Sequence, residues 1–579
     1  MENVMKKENF LWNAVKTGLL GGAIALFICL IGMVEIFSKR DVIEKVLTLG
    51  QFVLLATAAG MGFVAARRTS SLLGDIKPLP LLAAGLTAGL LTGLLIALLV
   101  VIGNQVNLRA VFINASPALY DLLTFKKGVG FAWNLPAFGA VAGMLGAAFL
   151  LLPKFLRRPL SRALIALVFM ALFSGLFRVV MINQGGAWIA SAKYLFGQTG
   201  LTLPGTLIFF VGVVALTLVW DFKGGQAQSR IARLPKQSQL ILRVLVYALI
   251  AYVAIGLPQV SGPFIAQVIV TVALFILMGL GLNITLGFAG LLDLGFVAFY
   301  AIGAYTVGLL TSYGQFGVQH IPFWVAVPIA VLVAMAFGAF LGLPVLGIRG
   351  DYLAIATLGF GEIVRLLAGS DFLAPFFGGP MGVIGIQKPC LGLLGPFLKV
   401  DVPRVCNGIE LGKPQDIYYV AVVSAILIAF IAWRLRESRL GRAWMAIRED
   451  EDVAEALGIN LVQTKLLAYI LGAAFAGLGG AIFATLIGSI FASSMQLIVS
   501  INVVSLIIVG GMGSIPGVIV GAIALIGLPE LLREVSEFRY LLYGLTLIIM
   551  MLAKPEGLWP SKTTLRELHH AKIEVDAKA

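Results

Sequence analysis

Charge is what this chain has least of. Only 12% of its 579 residues are Asp, Glu, Lys or Arg, against about 25% in an ordinary soluble domain. With 60% hydrophobic residues and a mean hydropathy of +1.00, a water-soluble globular fold is excluded. Cysteine and histidine are nearly absent, three of each, too few for a metal framework. Catalytic signatures are missing as well: there is no G-x-S-x-G and no H-E-x-x-H. Gly408-Ile-Glu-Leu-Gly412-Lys413-Pro414 mimics a phosphate loop only loosely. Its spacing is wrong, and proline stands where Ser or Thr would hold Mg²⁺. The chain therefore reads as a non-enzyme that needs no cofactor.

Apolar runs of membrane-spanning length fill the space that charge leaves. Six are expected before residue 222, near Leu19–Phe37, Val46–Ala66, Leu81–Ile102, Phe131–Leu152, Ala163–Ile182 and Gly205–Trp220. Each suits a hydrocarbon core about 30 Å thick. The first is too long for a signal-peptide core and reads as a retained anchor. The net charge of +14 sits in short loops, Arg67–Arg68, Lys154–Arg162 and Lys223–Lys236 among them, which is the positive-inside pattern and not a nucleic-acid footprint. It places the N-terminus in the cytoplasm. The fold class is thus all-α and polytopic. Residues 1–222 form an accessory bundle, 223–239 a polar cytoplasmic linker, 240–560 a second set of spans and 561–579 a cytoplasmic tail. In the last quarter, Gly510-Gly-Met-Gly-Ser-Ile-Pro-Gly517 breaks a short span from its neighbour.

The stretch that organises the chain is polar. Arg434–Lys465 lies between spans and has local structure of its own. Asp452 with Glu455 three residues later resembles a capping box. A short helix through Ala456 would follow, stopped by Gly458 in the left-handed region. Arg442–Ile447 reads as a second short helix with Ala443, Trp444 and Ile447 on one side. From the residues alone, an ordinary solvated loop fits as well as a docking element.

Several motifs, in order, resemble LivM-type permeases, the membrane subunits of branched-chain amino-acid ABC importers. They are Gly281-Leu-Asn-Ile-Thr-Leu-Gly-Phe-Ala-Gly-Leu-Leu-Asp-Leu-Gly295, Arg349-Gly-Asp-Tyr-Leu-Ala-Ile-Ala-Thr-Leu-Gly-Phe-Gly-Glu-Ile-Val-Arg365, Gly378-Gly-Pro-Met-Gly382, Gly441–Gly458, the 510–517 run and Lys554-Pro-Glu-Gly-Leu-Trp559. The resemblance covers roughly residues 240–560 and implies an ABC importer permease core. It implies two cytoplasmic ATP-binding subunits, a second homologous permease, a periplasmic binding protein and an inner-membrane location. It also implies that Arg442, Asp452, Glu455, Ala456 and Gly458 belong to an ATPase-coupling loop. The sequence departs from the family at Asp293, Phe296 and Met381, where Ser, His and Asn are common, and its N-terminal extension is longer. The alternative is a secondary transporter or channel, which would have no use for a capped docking loop.

Ionisable and polar groups at membrane depth are costly and mark pathways. Asp293, the Glu362–Arg365 pair at i,i+3 and Asn502 are the translocation-pathway candidates. The same pair reads equally as an ion pair buried between helices, and Asp293 as a helix cap. Cys390 and Cys406, in the longest connection of the second half, are expected to form a disulfide on the oxidising periplasmic face.

Overall fold

Backbone that crosses hydrocarbon must satisfy its own hydrogen bonds, so the apolar runs fold as helices. The computed structural model describes residues 2–73, 78–232, 236–317, 321–345, 350–391 and 409–531, with scattered residues from 544 to 561. Among the described residues, ten helices are long and apolar enough to cross a membrane, and a bent pair adds an eleventh. The chain divides into two compact units, Met1–Ile250 and Ala251–Ala579.

The first unit contains α1 (Glu2–Leu30), α2 (Leu49–Leu73), α3 (Pro78–Gln105) and α4 (Leu135–Leu151). Small residues let these helices touch through backbone. A Cβ at Gly89 would overlap the Gly139 carbonyl, and one at Gly143 the Gly85 carbonyl. Such close packing replaces the hydrophobic drive that lipid removes. The run expected as one span over 163–182 is instead two helices, α5 (Lys154–Leu172) and α6 (Ser174–Asn183), bent by 65°. Arg40 donates to the Leu172 carbonyl at the break (2.9 Å), satisfying a group that a straight helix would have paired internally.

The polar linker expected from 223 is helical at its start, because α7 runs from Leu203 to Ala232. Gln226, Ala227, Gln228, Arg230 and Ala232 are good helix formers and outweigh Gly224 and Gly225. Helix resumes at Lys236 in α8 (Lys236–Ser261).

The second unit continues with α9 (Pro263–Leu282), which runs into a π-turn over Asn283–Phe288. Then come α10 (Val297–Thr311), α11 (Phe323–Val345), α12 (Asp351–Ala368) and α13 (Pro414–Arg436). Two short helices, α14 (Arg439–Glu449) and α15 (Glu451–Ala456), lead to α16 (Leu461–Ile487). After α16 come α17 (Leu497–Gly510) and α18 (Ile515–Ala522), with a second π-turn over Ile523–Gly527. The buried α16 is the axis of the unit. Its Gly477 lies against Gly303 of α10 and its Gly480 against the Tyr300 carbonyl, where side chains would collide.

At the far end of α16, β1 (Val383–Ile384) pairs antiparallel with β2 (Ser489–Ile490). Lys388 donates there to the carbonyls of Thr485 (2.5 Å) and Leu486 (3.0 Å), which α16 leaves unpaired at its terminus. Cys29 is a buried free thiol. Cys390 is disulfide-bonded, while Cys406, its expected partner, and the tail beyond Ser561 lie outside the described residues.

Candidate functional site

Three residues after α13 ends, the chain is already in a new helix. Ser438 begins α14 by accepting from the Gly441 amide (3.2 Å). The helix is strongly two-sided: Gly441, Trp444 and Ile447 are buried, while Arg442 is exposed. Trp444 is wholly enclosed, and its indole Nε1 donates to the Thr464 carbonyl (2.8 Å). That bond ties α14 to the first turn of α16.

The cap of α15 lies two residues before its expected position. Asp450, not Asp452, is the capping residue. Its backbone is extended and its Oδ1 accepts from the amides of Asp452 (2.9 Å) and Val453 (3.0 Å). Asp452 falls instead in the first turn, where a carboxylate suits the positive end of the helix. Ala454 is the one buried residue of α15. Gly458 stops the helix at φ +86°, a conformation that costs a residue with a Cβ about 1–2 kcal/mol. Asn460 then caps α16, accepting from Gln463 N (3.0 Å). Finally, Glu451 and the almost fully buried Lys465 form an ion pair of 2.7 Å. One indole hydrogen bond, one enclosed ion pair and three side-chain caps therefore hold α14, α15 and the start of α16 together.

What this element presents outward is the predicted set. Arg442, Asp452, Glu455, Ala456 and Gly458 are all exposed. Val453, Leu457 and Val462 are exposed with them, 55%, 75% and 54% respectively. Three large apolar side chains on so short a stretch thus stand exposed within a rim of charge.

Its inward side reaches the interruptions in the long helices. Arg448 Nη1 donates to the Gly287 carbonyl (2.9 Å) inside the π-turn that ends α9. A Cβ on Gly290, at φ +74°, would crowd the Arg448 side chain at 3.0 Å. In the same π-turn, Asn283 Oδ1 accepts from Gly513 N (2.9 Å), 230 residues away in the break between α17 and α18. That break is clasped from its other side, with Leu558 N and Trp559 N donating to the carbonyls of Val509 and Gly510, each 2.8 Å. The two glycine-rich breaks and the polar element are thus one hydrogen-bonded cluster.

Among the described residues, no hydrogen bond or ion pair joins Asp293, the Glu362–Arg365 pair and Asn502 to one another. Asp293 is buried in the Ala289–Phe296 connection and accepts from Gly295 N (2.9 Å), a turn-forming bond to its second neighbour. Next to it, Leu294 N donates to Thr357 Oγ1 (3.0 Å) on α12. Glu362 and Arg365 pair as expected, with Arg365 Nε 3.0–3.1 Å from both carboxylate oxygens and its Nη2 closer still. The pair is not enclosed between helices: Arg365 and Glu362 are 29% and 40% exposed. On the same helix, Thr357 and Gly361 pack on Gly295. Asn502, on α17, has a buried Oδ1 without a hydrogen-bond partner among the described residues. Its neighbour Ser500 accepts from Val297 N (3.0 Å). Asn283 and the reach of Arg448 escaped the sequence reading. A single amide inside an apolar run was the available signal for Asn283.

Residues 264–552 match the family described as the permease component of branched-chain amino acid transport systems. The permease protein LivM of Escherichia coli K12 is 41% identical over 297 residues, covering 50% of this chain and 68% of that protein. LivM of Salmonella typhimurium LT2 is 38% identical over 334 residues, 56% and 75% of the two chains. The permease protein LivH of Escherichia coli K12 is 29% identical over 152 residues, 25% and 46% of the two chains. No solved structure matches.

Proposed function

Because the chain belongs to the permease family of branched-chain amino acid transport systems, we propose that it is the membrane-spanning permease of an ATP-driven importer. Its cargo is a branched-chain or related amino acid, handed over by a periplasmic binding protein. It sits in the inner membrane with its N-terminus in the cytoplasm, beside a second, homologous permease of the kind LivH represents. Two cytoplasmic subunits bind the ATP, consistent with the missing phosphate loop. Residues 1–222 act as an accessory bundle separable from the permease core. A Cys390–Cys406 bridge would pin the periplasmic connection where the binding protein docks, stabilising a loop of this length by roughly 3 kcal/mol.

The observation that carries this reading is the two-sided element over α14–α15. Its outward face offers Val453 and Leu457 within a rim of Arg442, Asp452 and Glu455, suited to a reversible interface. Its inward face is bonded to the breaks at Gly287 and, through Asn283, Gly513. When the ATPases close, α15 is displaced as one body with α14, because Trp444 and the Lys465–Glu451 pair leave no slack between them. Arg448 carries that displacement into the π-turn of α9, and Asn283 passes it to the α17–α18 break. Helices interrupted at membrane depth move more readily than continuous ones and line cavities where they occur.

Uptake of radiolabelled leucine into vesicles carrying the full set of subunits tests the reading. ATP-dependent uptake abolished by Glu455→Arg, with membrane insertion intact, is the expected result. Uptake that proceeds without ATP, or is unchanged in Glu455→Arg, overturns it.

A further inference from the structure

In the first unit, two residues with side chains hold a backbone conformation that glycine would hold without strain. Phe125 and Lys126 sit at φ +54° and +58°, consecutive at the end of the short helix Pro117–Leu123. Residues with a Cβ avoid that region because it crowds the following carbonyl. Glycine is used for the same purpose just beyond, at Gly128 with φ +81°. Burial does not explain the choice, since Phe125, Lys126 and Lys127 are all exposed. Strain kept on outward side chains points to a use outside the fold.

The strained turn brings rings and cations together. Phe125, Phe131 and Phe138 form a triangle with ring centroids 6.0, 6.0 and 6.1 Å apart. Lys127 Nζ lies 4.9 Å from the Phe131 centroid, an ammonium resting on a ring face. Phe138 belongs to α4, part of the membrane-crossing span Val129–Leu151. Because α3 and α4 run antiparallel, Gly85 against Gly143 and Gly89 against Gly139, residues 106–134 join them at one end. Arg67–Arg68 and the Lys154–Arg162 run lie toward the other end. Lys126 and Lys127 therefore stand where the positive-inside pattern gives no reason for them. Below the triangle, Phe138, Val141 and Leu145 are exposed at i, i+3 and i+7, one stripe of α4. On a helix that crosses the membrane, hydrocarbon covers such a stripe.

From the strained turn, the paired cations and the lipid-facing stripe we propose that Lys126, Lys127 and the three phenylalanines form a headgroup site for one anionic phospholipid. The two ammonium groups hold its phosphate; the one resting on Phe131 still has donors to give. The acyl chain lies along Phe138, Val141 and Leu145. Trp133, exposed in the turn Val129–Asn134, stands at the level where amphipathic rings meet headgroups. Residues 106–134 carry one acid, Asp121, against Arg109, Lys126 and Lys127. That balance favours an anionic headgroup over a zwitterionic one, which brings its own cation to the phosphate. The site gives the first unit a ligand of its own and does not depend on the importer reading.

Photolabelling of the full chain in phosphatidylcholine vesicles tests this. The vesicles are doped with either phosphatidylglycerol or phosphatidylcholine that carries a diazirine in its acyl chain, and adducts are mapped by peptide mass. Labelling of residues 138–145 should be enriched with phosphatidylglycerol, by about fivefold for each lysine. Lys126→Gln with Lys127→Gln should remove the enrichment and leave labelling by phosphatidylcholine unchanged. Arg157→Gln with Arg158→Gln, at the other end of α4, should preserve it. Equal labelling of the unsubstituted chain by the two lipids overturns the assignment. So does an enrichment that survives the lysine substitutions or is lost equally in the arginine control. Inorganic phosphate, with ionic strength matched by chloride, separates lipid from free anion: an enrichment that it abolishes assigns the lysines to the ion and overturns the lipid site. Raised salt should weaken the enrichment of the unsubstituted chain. An enrichment indifferent to salt counts against the proposal without recourse to any variant.

Discussion

The two compact units both pack helices through glycine where water cannot drive them together, and they differ in how far hydrogen bonds between interrupted helices add to that packing. In the first unit α3 and α4 lie backbone to backbone along Gly85, Gly89, Gly139 and Gly143, with no room for a side chain. In the second, α9 and the α17–α18 pair are interrupted, and the interruptions are bridged by Asn283 and reached by Arg448. Close glycine packing fixes one arrangement of the helices. A few hydrogen bonds between broken ends can be exchanged for others at small cost. On the proposed function, the exchangeable bonds at the interruptions of the second unit are where movement would occur.

The sharpest way to break that contrast is to force a side chain into the glycine contact of the first unit. Gly143→Leu places atoms on the Gly85 carbonyl, and the loss should exceed about 3 kcal/mol, the upper range for ordinary overpacking. The measurable outcome is loss of the full chain from the membrane fraction; normal accumulation would show that α3 and α4 can part.

Lys465→Ala should come next. It removes the ammonium that Glu451 pairs with, and losing one partner of a buried pair costs about 3 kcal/mol. The full chain should still insert, while ATP-dependent uptake falls at least tenfold. Unaltered uptake would mean that α15 and α16 need not move together.

Gly458→Ala strains one residue by about 1–2 kcal/mol, and uptake should drop several-fold, with the defect relieved by Gly458→Asn, which tolerates the left-handed region. The smallest effect belongs to Asp450→Ala, where a lost cap costs about 1 kcal/mol. Uptake should fall no more than about fivefold and return with Asp450→Ser. A strong defect in Asp452→Asn alongside a silent Asp450→Ala would reverse the assignment of the cap.

What was legible in the sequence follows from the range of the interaction behind it. The spans, the helix of Trp444 and Ile447 and the stop at Gly458 come from periodicity and single-residue backbone preference, both local. The cap was misplaced by two residues because Asp450 and Asp452 are the same residue type, and only the extended backbone at Asp450 separates them. The bend at Phe173 left no mark, since Arg40, which satisfies the broken helix, lies 132 residues away. The bond from Asn283 to Gly513 spans 230 residues, beyond any local pattern. Whether the Glu362–Arg365 pair would be enclosed or outward was equally open, because spacing establishes the pair but not the face it occupies.

The central claim is that Arg448 transmits the motion of the α14–α15 element to the broken helices. The direct measurement is the number of amino acids transported per ATP hydrolysed by the reconstituted importer carrying Arg448→Gln. Glutamine keeps a donor near Gly287 but removes the charge and most of the reach. Binding-protein-stimulated ATP hydrolysis should persist while transport per ATP falls about tenfold or more, with partial recovery in Arg448→Lys. An unchanged ratio in Arg448→Gln would contradict the account.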